Sequence, residues 1–107
     1  MTNEITKQTL TLISKQITDN KIILYMKGTP NMPKCGFSAK VVTLIQSIIN
    51  NFATVDVLEN NNIRATLPQF ANWPTFPQLY VDGELIGGCD IITEMYQTGE
   101  LRTLLLK

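Results

Sequence analysis

The chain has 107 residues, of which 44% are hydrophobic, and its nine basic and nine acidic side chains give a formal net charge of zero. A chain of this length can form one domain with its own core, and without a basic field we expect neither nucleic acid nor an anionic membrane as a partner. No apolar run approaches the roughly 18 residues of a membrane span. Met1–Asp19 has neither a signal-peptide core nor an Arg-rich transit pattern, so we expect a cytoplasmic protein or one matured inside an organelle.

The first half of the chain alternates between helical and strand patterns. A helix is predicted over Asn3–Asp19, followed by an unbroken apolar strand over Lys21–Met26 that we expect to be buried on both faces. After an irregular segment, an apolar stripe predicts a helix over Ala39–Asn50. A second strand is predicted over Phe52–Leu58. Helices placed between strands in this way are typical of parallel pairing.

The second half begins with another helix and continues with a hairpin. Asn60–Asn62 offers an N-cap for the helix, which we expect Pro68 to interrupt or end. Two short strands are predicted at Gln78–Val81 and Glu84–Ile86. Asp82-Gly83 between them is a strong two-residue hairpin signal, so these strands should pair antiparallel.

A helix opening at Cys89-Asp90 and ending at Gly99, and a short last helix over Leu101–Leu106, complete the pattern. The order is therefore αβαβαββα plus a terminal helix. Parallel strands with helical crossovers come first and an antiparallel hairpin comes last. We predict an α/β fold with one mixed, four-stranded sheet flanked by helices on both faces.

The cysteines and the lack of histidine narrow the chemistry. Without histidine, Ser-His-Asp and Cys-His catalysis and histidine-ligated zinc are excluded. Neither Cys35 nor Cys89 belongs to a C-x-x-C pair, so one chain cannot form a four-cysteine zinc site. The chemistry must use a thiolate, carboxylates or a bound small molecule.

Cys35 is placed where the first strand has ended and a helix begins. Unpaired N–H groups and roughly half a positive charge at a helix start favour a thiolate there. Lys27 and Lys34 add positive charge nearby. Because such surroundings can lower a cysteine pKa from about 8.5 to about 4–7, we predict a reactive thiolate. The alternative, a buried cysteine acting as a small hydrophobe, fits the polar flanking residues less well.

A thiol at a strand-to-helix turn, within this order of elements, resembles the arrangement of the thioredoxin fold. The stretch Cys35-Gly36-Phe37-Ser38 resembles the C-G-F-S motif of the monothiol glutaredoxin family. Four further stretches agree with that family in order and spacing: Lys27-Gly28, Trp73-Pro74-Thr75-Phe76-Pro77-Gln78, Asp82-Gly83 and Gly87-Gly88-Cys89-Asp90. The resemblance covers essentially the whole chain. It implies a single glutaredoxin domain over residues 1–107 with a thioredoxin-like fold.

The resemblance also implies a glutathione site around Cys35. Lys27 would contact the bound glutathione and help to hold the Cys35 thiolate. The guanidinium of Arg64 would meet the glycine carboxylate of glutathione. An ordinary solvated side chain is the alternative for both Lys27 and Arg64, and the sequence alone does not choose between these roles.

A cis peptide at Phe76–Pro77 is implied as well, and it would set the Phe76 backbone beside the peptide backbone of glutathione. Pro77 as the first residue of an edge strand is the alternative, and Trp73-Pro74 is interpreted as packing. The Cys89 backbone and the Asp90 carboxylate would take the γ-glutamyl end, and Asp90 could also be a helix N-cap. A Cys35–Cys89 disulfide under oxidation stays open.

Ser38 occupies the position at which a dithiol enzyme would carry its second cysteine. A hydroxyl cannot resolve a mixed disulfide, so Cys35 has no local partner for two-thiol exchange. Exchange with glutathione remains. By the resemblance, Ser38 and the Thr29–Lys34 loop of this chain both weigh against efficient turnover of glutathione disulfides.

The family resemblance implies a particular cofactor. A 2Fe–2S cluster needs four thiolates or equivalent ligands, and Cys35 from each of two chains plus two glutathione thiols would supply them. The leading hypothesis is a homodimer that carries a labile cluster and stores it or delivers it to apo iron–sulfur proteins. The second is a glutathione-dependent single-thiol oxidoreductase acting through Cys35. The third is a regulatory module that shares its cluster with a BolA-type partner.

Overall fold

The computed structural model describes residues 3–107, so Met1 and Thr2 of the predicted domain and of the Met1–Asp19 segment lie outside the described residues. The elements follow the predicted order. The helices are α1 (Glu4–Asp19), α2 (Gly36–Gln46), α3 (Asn61–Ala71), α4 (Cys89–Thr98) and α5 (Glu100–Leu105). The strands are β1 (Ile22–Met26), β2 (Ala53–Asp56), β3 (Gln78–Val81) and β4 (Glu84–Gly87).

The four strands form one mixed sheet in the order β2-β1-β3-β4. Strand β1 pairs parallel with β2 and antiparallel with β3, and β4 pairs antiparallel with β3 at the edge. Asp82 and Gly83, between β3 and β4, have φ angles of 52° and 82°. Positive φ at both central residues is the geometry that favours this dipeptide in two-residue hairpins, so the predicted hairpin is confirmed.

Helices cover both faces of the sheet, as predicted. Side chains alternate along a strand, so Ile22, Leu24 and Met26 point to one face while Ile23 and Tyr25 point to the other. The first face packs against residues of α2, α4 and α5: Val41, Val42, Ile45, Ile92, Leu101 and Leu105. The second face packs against residues of α1 and α3: Ile13, Ile17, Ile63 and Leu67.

The predicted bounds of the second helix are wrong at both ends. Cys35 is extended, with φ −148° and ψ 136°, and the helix begins directly after it at Gly36. It ends at Gln46, where the regular pattern is lost: the Ile48 N–H donates to the carbonyl of Ile45, three residues earlier instead of four. Ile48 and Ile49 still pack on the core, so the apolar stripe continues beyond the helix and extended the prediction too far.

The prediction that Pro68 interrupts or ends the third helix is also wrong. Helix α3 continues past it to Ala71 and stops at Asn72, which has the left-handed conformation with φ 52°. A proline removes only its own N–H, and the carbonyl of Pro68 still accepts a bond from the Trp73 N–H. Asn60 stands at the N-cap position, as predicted, but its side chain donates to the Asp56 carbonyl instead of capping the helix.

Within residues 3–107, every helix falls short of the length and apolar character required to cross a membrane.

Candidate functional site

A cavity of about 780 Å³ lies among five separate chain segments, and Cys35 lines it. Its volume is within the range of small-molecule binding sites. All seven residues predicted for the site line this cavity: Lys27, Cys35, Arg64, Phe76, Pro77, Cys89 and Asp90. The fold therefore brings together residues that lie up to 63 positions apart in the sequence, from Lys27 to Asp90.

Cys35 is the N-cap residue of α2, and its side chain is partly exposed. The backbone N–H of Ser38 is the main cause that lowers the pKa of the Cys35 thiol, with help from the N–H of Phe37, the charge of Lys27 and the hydroxyl of Ser38. Partial burial opposes this shift. The predicted direction of the pKa shift is confirmed, and the first turn of the helix is its chief source.

Ser38, three residues after Cys35, is fully buried. Its Oγ accepts a hydrogen bond of 3.1 Å from the backbone N–H of Lys27. The hydroxyl thus ties the end of β1 to the first turn of α2, and this bond sets Lys27 beside Cys35.

The loop between β1 and α2 is held by backbone bonds and by one carboxylate. The Lys34 N–H donates to the Lys27 carbonyl at 2.9 Å. Asp56 Oδ1 accepts from the N–H of Gly28 and from that of Leu58, both at 2.9 Å. Gly28 has φ 91°, and a Cβ there would stand 2.5 Å from the Met32 carbonyl oxygen, so the loop requires glycine at this position.

Asp56 is a site-supporting residue that the sequence analysis missed. It lies at the end of β2, opposite Met26 in the parallel register. The signal was the single carboxylate of β2, whose other residues are Ala53, Thr54 and Val55. Its partner Gly28 is 28 positions away, and only the pairing of β1 with β2 brings the two together.

The Phe76–Pro77 peptide bond is cis, as the resemblance implied. Both residues are buried and line the cavity. The alternative for Pro77, the first position of an edge strand, is wrong because β3 begins at Gln78 and lies between β1 and β4. Trp73 and Pro74, interpreted as packing residues, also line the cavity.

Cys89 is the first residue of α4, and Gly88 is its N-cap. The prediction that Asp90 caps this helix is therefore wrong, since Asp90 already lies in the first turn. Cys35 and Cys89 are both free thiols. Asp90 is exposed at the rim, near backbone N–H groups that the first turn of a helix leaves available to a ligand.

Gly88 allows the start of α4 to approach the opposite side of the cavity closely. A Cβ at Gly88 would stand 3.0 Å from the Pro77 carbonyl oxygen and 3.3 Å from Trp73 Nε1. Trp73 Nε1 is buried and has no hydrogen-bond partner among the described residues. Phe37, 63% exposed, is a further lining residue that the sequence analysis missed.

Arg64 projects from α3 at the rim, where its side chain is exposed. Lys15 and Asp19 form the one ion pair in the described part of the chain, so no carboxylate among residues 3–107 pairs with the Arg64 guanidinium. No group of three or more Cys, Asp or Glu side chains among residues 3–107 is arranged to hold a metal ion.

The mixed four-stranded sheet, the helices on both faces and the thiol at the start of α2 define a thioredoxin-like protein. The Glutaredoxin family model matches residues 22–86. Glutaredoxin 4 of Escherichia coli (strain K12) is 59% identical over 97 residues, which cover 91% of this chain and 84% of that protein. Glutaredoxin 4 of Haemophilus ducreyi (strain 35000HP / ATCC 700724) is 60% identical over 98 residues and covers 92% of each.

Two solved glutaredoxin structures have the same fold as this chain. Reduced poplar apo GrxS14 superposes with a TM-score of 0.82 at 44% identity and covers 97% of this chain and 95% of that one. A buckwheat glutaredoxin–glutathione complex superposes with a TM-score of 0.85 at 25% identity and covers 99% and 94%. The chain belongs to the monothiol glutaredoxin family.

Proposed function

We propose that this protein binds glutathione in the cavity around Cys35 and, as a homodimer, carries a labile 2Fe–2S cluster for the assembly of iron–sulfur proteins. The observation that carries the proposal is the cavity itself. Five segments of the chain converge there on one thiol whose pKa is lowered. The cytoplasm as its location, and apo iron–sulfur proteins or a BolA-type protein as partners, belong to the same proposal.

The groups at the cavity suit glutathione, a tripeptide with two carboxylates, one ammonium and a thiol. The guanidinium of Arg64, which has no carboxylate partner among residues 3–107, offers a fork for one carboxylate. The first turn of α4 offers N–H groups for the other carboxylate, and the Asp90 side chain could meet the ammonium. Between these two ends, the Phe76 backbone could pair with the peptide and leave the glutathione thiol next to Cys35.

The donor set fits a cluster that is shared between chains. A 2Fe–2S cluster takes four thiolates or equivalent ligands, and the cavity of one chain offers the Cys35 thiolate as its activated donor. Two chains and two glutathione molecules would complete the set. Because half of these ligands could exchange with free glutathione, the cluster should be transferable.

A second function, glutathione-dependent reduction of mixed disulfides, is favoured by the lowered pKa of Cys35. The Cys35 thiolate would attack the glutathione sulfur of a protein–glutathione disulfide, and the protein thiolate would leave and take a proton. A second glutathione thiolate would then attack glutathionylated Cys35, releasing glutathione disulfide and restoring the Cys35 thiolate. Ser38 cannot replace that second glutathione, because a hydroxyl does not resolve a disulfide.

Anaerobic reconstitution with iron, sulfide and glutathione tests the proposal. We expect a coloured dimer by absorbance and size-exclusion chromatography, and we expect neither colour nor dimer without glutathione or with Cys35→Ser. Cys89→Ser removes the other thiol but keeps the backbone N–H, and it should retain the colour. A colourless monomer that reduces glutathione mixed disulfides would contradict the carrier function and establish the oxidoreductase instead.

A further inference from the structure

The segment Trp73–Pro77, which we call the cavity wall, is supported by few backbone hydrogen bonds. Pro74 and Pro77 have no N–H to donate. Apart from bonds within helices and strands, the wall makes one backbone–backbone bond in the described part of the chain, from the Trp73 N–H to the Pro68 carbonyl at 3.0 Å. Other groups must therefore hold the wall in shape.

The side chain of Gln78 provides that support. It is fully buried, and its Nε2 donates to the Trp73 carbonyl at 3.0 Å and to the Thr75 carbonyl at 3.3 Å. Its Oε1 accepts from the Tyr80 hydroxyl at 3.0 Å. Both N–H groups of the amide and its oxygen are thus used, and the bonds fix which way the amide faces.

Tyr80 anchors this amide in the core rather than in the cavity. It is 4% exposed, and its ring packs edge to face on Tyr25 with 5.7 Å between the centroids. The Tyr25 hydroxyl in turn donates to Gln16 of α1 at 2.8 Å. The support of the wall therefore extends from the cavity along one face of the sheet to helix α1, which packs on that same face.

We infer that Gln78 is a positioning residue, whose buried amide holds the Trp73–Pro77 wall in the shape that binds glutathione, and that Tyr80 holds the amide in its orientation. The identity of the ligand rests on the proposed function. The shape of the wall does not, and it can be measured separately because Trp73 is the only tryptophan in the chain.

Gln78→Met is the main test, since methionine has similar length but cannot donate to the two carbonyls. Two quantities should be measured: the Kd for reduced glutathione by anaerobic calorimetry, and acrylamide quenching of Trp73 fluorescence without ligand. We expect Gln78→Met to raise the Kd about tenfold, because two carbonyl anchors are lost, and to increase quenching. Tyr80→Phe should change both quantities in the same direction by a smaller factor.

Ile13→Val is the matched control, because it removes a methylene from the same core at a residue that does not line the cavity. It should lower the Tm but leave the Kd and the quenching unchanged. Equal Kd and equal quenching in Gln78→Met and the wild type would overturn the inference, as would changes that Ile13→Val reproduces. If Gln78→Met does not fold, Tyr80→Phe decides in the same way. A wild type that does not bind glutathione would defeat that part of the proposed function, and the quenching comparison would still decide the role of Gln78.

Discussion

The thiol of Cys35 shows how backbone geometry sets the chemistry of a single residue. The strongest cause that lowers its pKa is the N–H of Ser38, and the charge of Lys27 contributes less. The N–H groups of Phe37 and Ser38 are available to the thiol because the chain is extended at Cys35 and helical from Gly36. A position one residue earlier or later would lose this arrangement.

The lowered pKa predicts the pH dependence of Cys35 alkylation. A depressed pKa keeps the thiol ionised to lower pH, so the rate with iodoacetamide should fall only as pH drops through the folded-state pKa. The lowered pKa also makes stability depend on pH. Ionised Cys35 stabilises the folded state fully at pH values above the pKa of the unfolded chain, and this stabilisation is lost as the pH falls through the lower pKa of the folded state. The rate, followed by mass spectrometry of the Cys35 peptide, should have its midpoint below that of the urea-unfolded chain.

Lys27→Gln provides the control for this measurement. It should raise the midpoint only part of the way, because the N–H groups of Ser38 and Phe37 remain in place. Equal midpoints for the folded and unfolded wild type would contradict the prediction. If the alkylation midpoint of Lys27→Gln reached that of the unfolded chain, the charge of Lys27 and not the backbone N–H groups would be the main cause of the lowered Cys35 pKa.

At the scale of one element, α3 contains a proline that it does not need for its own stability. Pro68 is the eighth residue of the helix and cannot donate to the Arg64 carbonyl four residues earlier. It does line the cavity. The helix nevertheless continues, because Ile63 and Leu67 bury its apolar face against α1 and the sheet.

Pro68→Ala should therefore raise the free energy of unfolding by about 1–2 kcal/mol. Proline costs about 3 kcal/mol relative to alanine within a helix, and the greater freedom of alanine in the unfolded chain offsets about 1 kcal/mol of the gain. Urea unfolding of the apo chain measures the difference. The exposed neighbour Gln69 provides a control, since Gln69→Ala should change stability by less than about 0.5 kcal/mol. A less stable Pro68→Ala variant would show that the proline fits the helix without that cost.

At the scale of the whole molecule, the sheet separates two cores: the first lies between the sheet and α2, α4 and α5, and the second between the sheet and α1 and α3. Cys89, which packs against the first core, and Phe76 of the second both line the cavity. The short helix α5 closes the first core with Leu101 and Leu105, which are 0% and 4% exposed. Neither residue lines the cavity. Stability supplied by α5 can therefore be separated from ligand binding.

Leu101→Ala should lower the free energy of unfolding by about 2–5 kcal/mol, the usual cost of truncating a fully buried leucine. Leu106, the C-cap residue of the same helix, is 54% exposed and offers a matched leucine-to-alanine control. Leu106→Ala should change stability by less than about 0.5 kcal/mol. Denaturant titrations give both values, and the glutathione Kd of folded Leu101→Ala should equal that of the wild type. Similar losses for the two variants would mean that α5 does not complete the core as described.

Local patterns by themselves determined much of this protein. The order of elements, the turn at Asp82-Gly83 and the end of α4 at Gly99 depend on residues that are neighbours in the chain. The placement of Cys35 at the start of a helix has the same origin. Such features follow from backbone preferences and from the period of apolar side chains, so the sequence is sufficient to predict them.

Only the tertiary structure decided the remainder, because it depends on groups that are distant in sequence. The bond from Gly28 to Asp56 follows from the register of β1 with β2, and the use of the Gln78 amide depends on where the wall folds back. Helix α3 continues through Pro68 because burial of its apolar face outweighs a local preference. The spacing of apolar residues predicts which side chains are buried, but not which groups they contact. It therefore predicts neither these hydrogen bonds nor whether burial outweighs the helix propensity of proline.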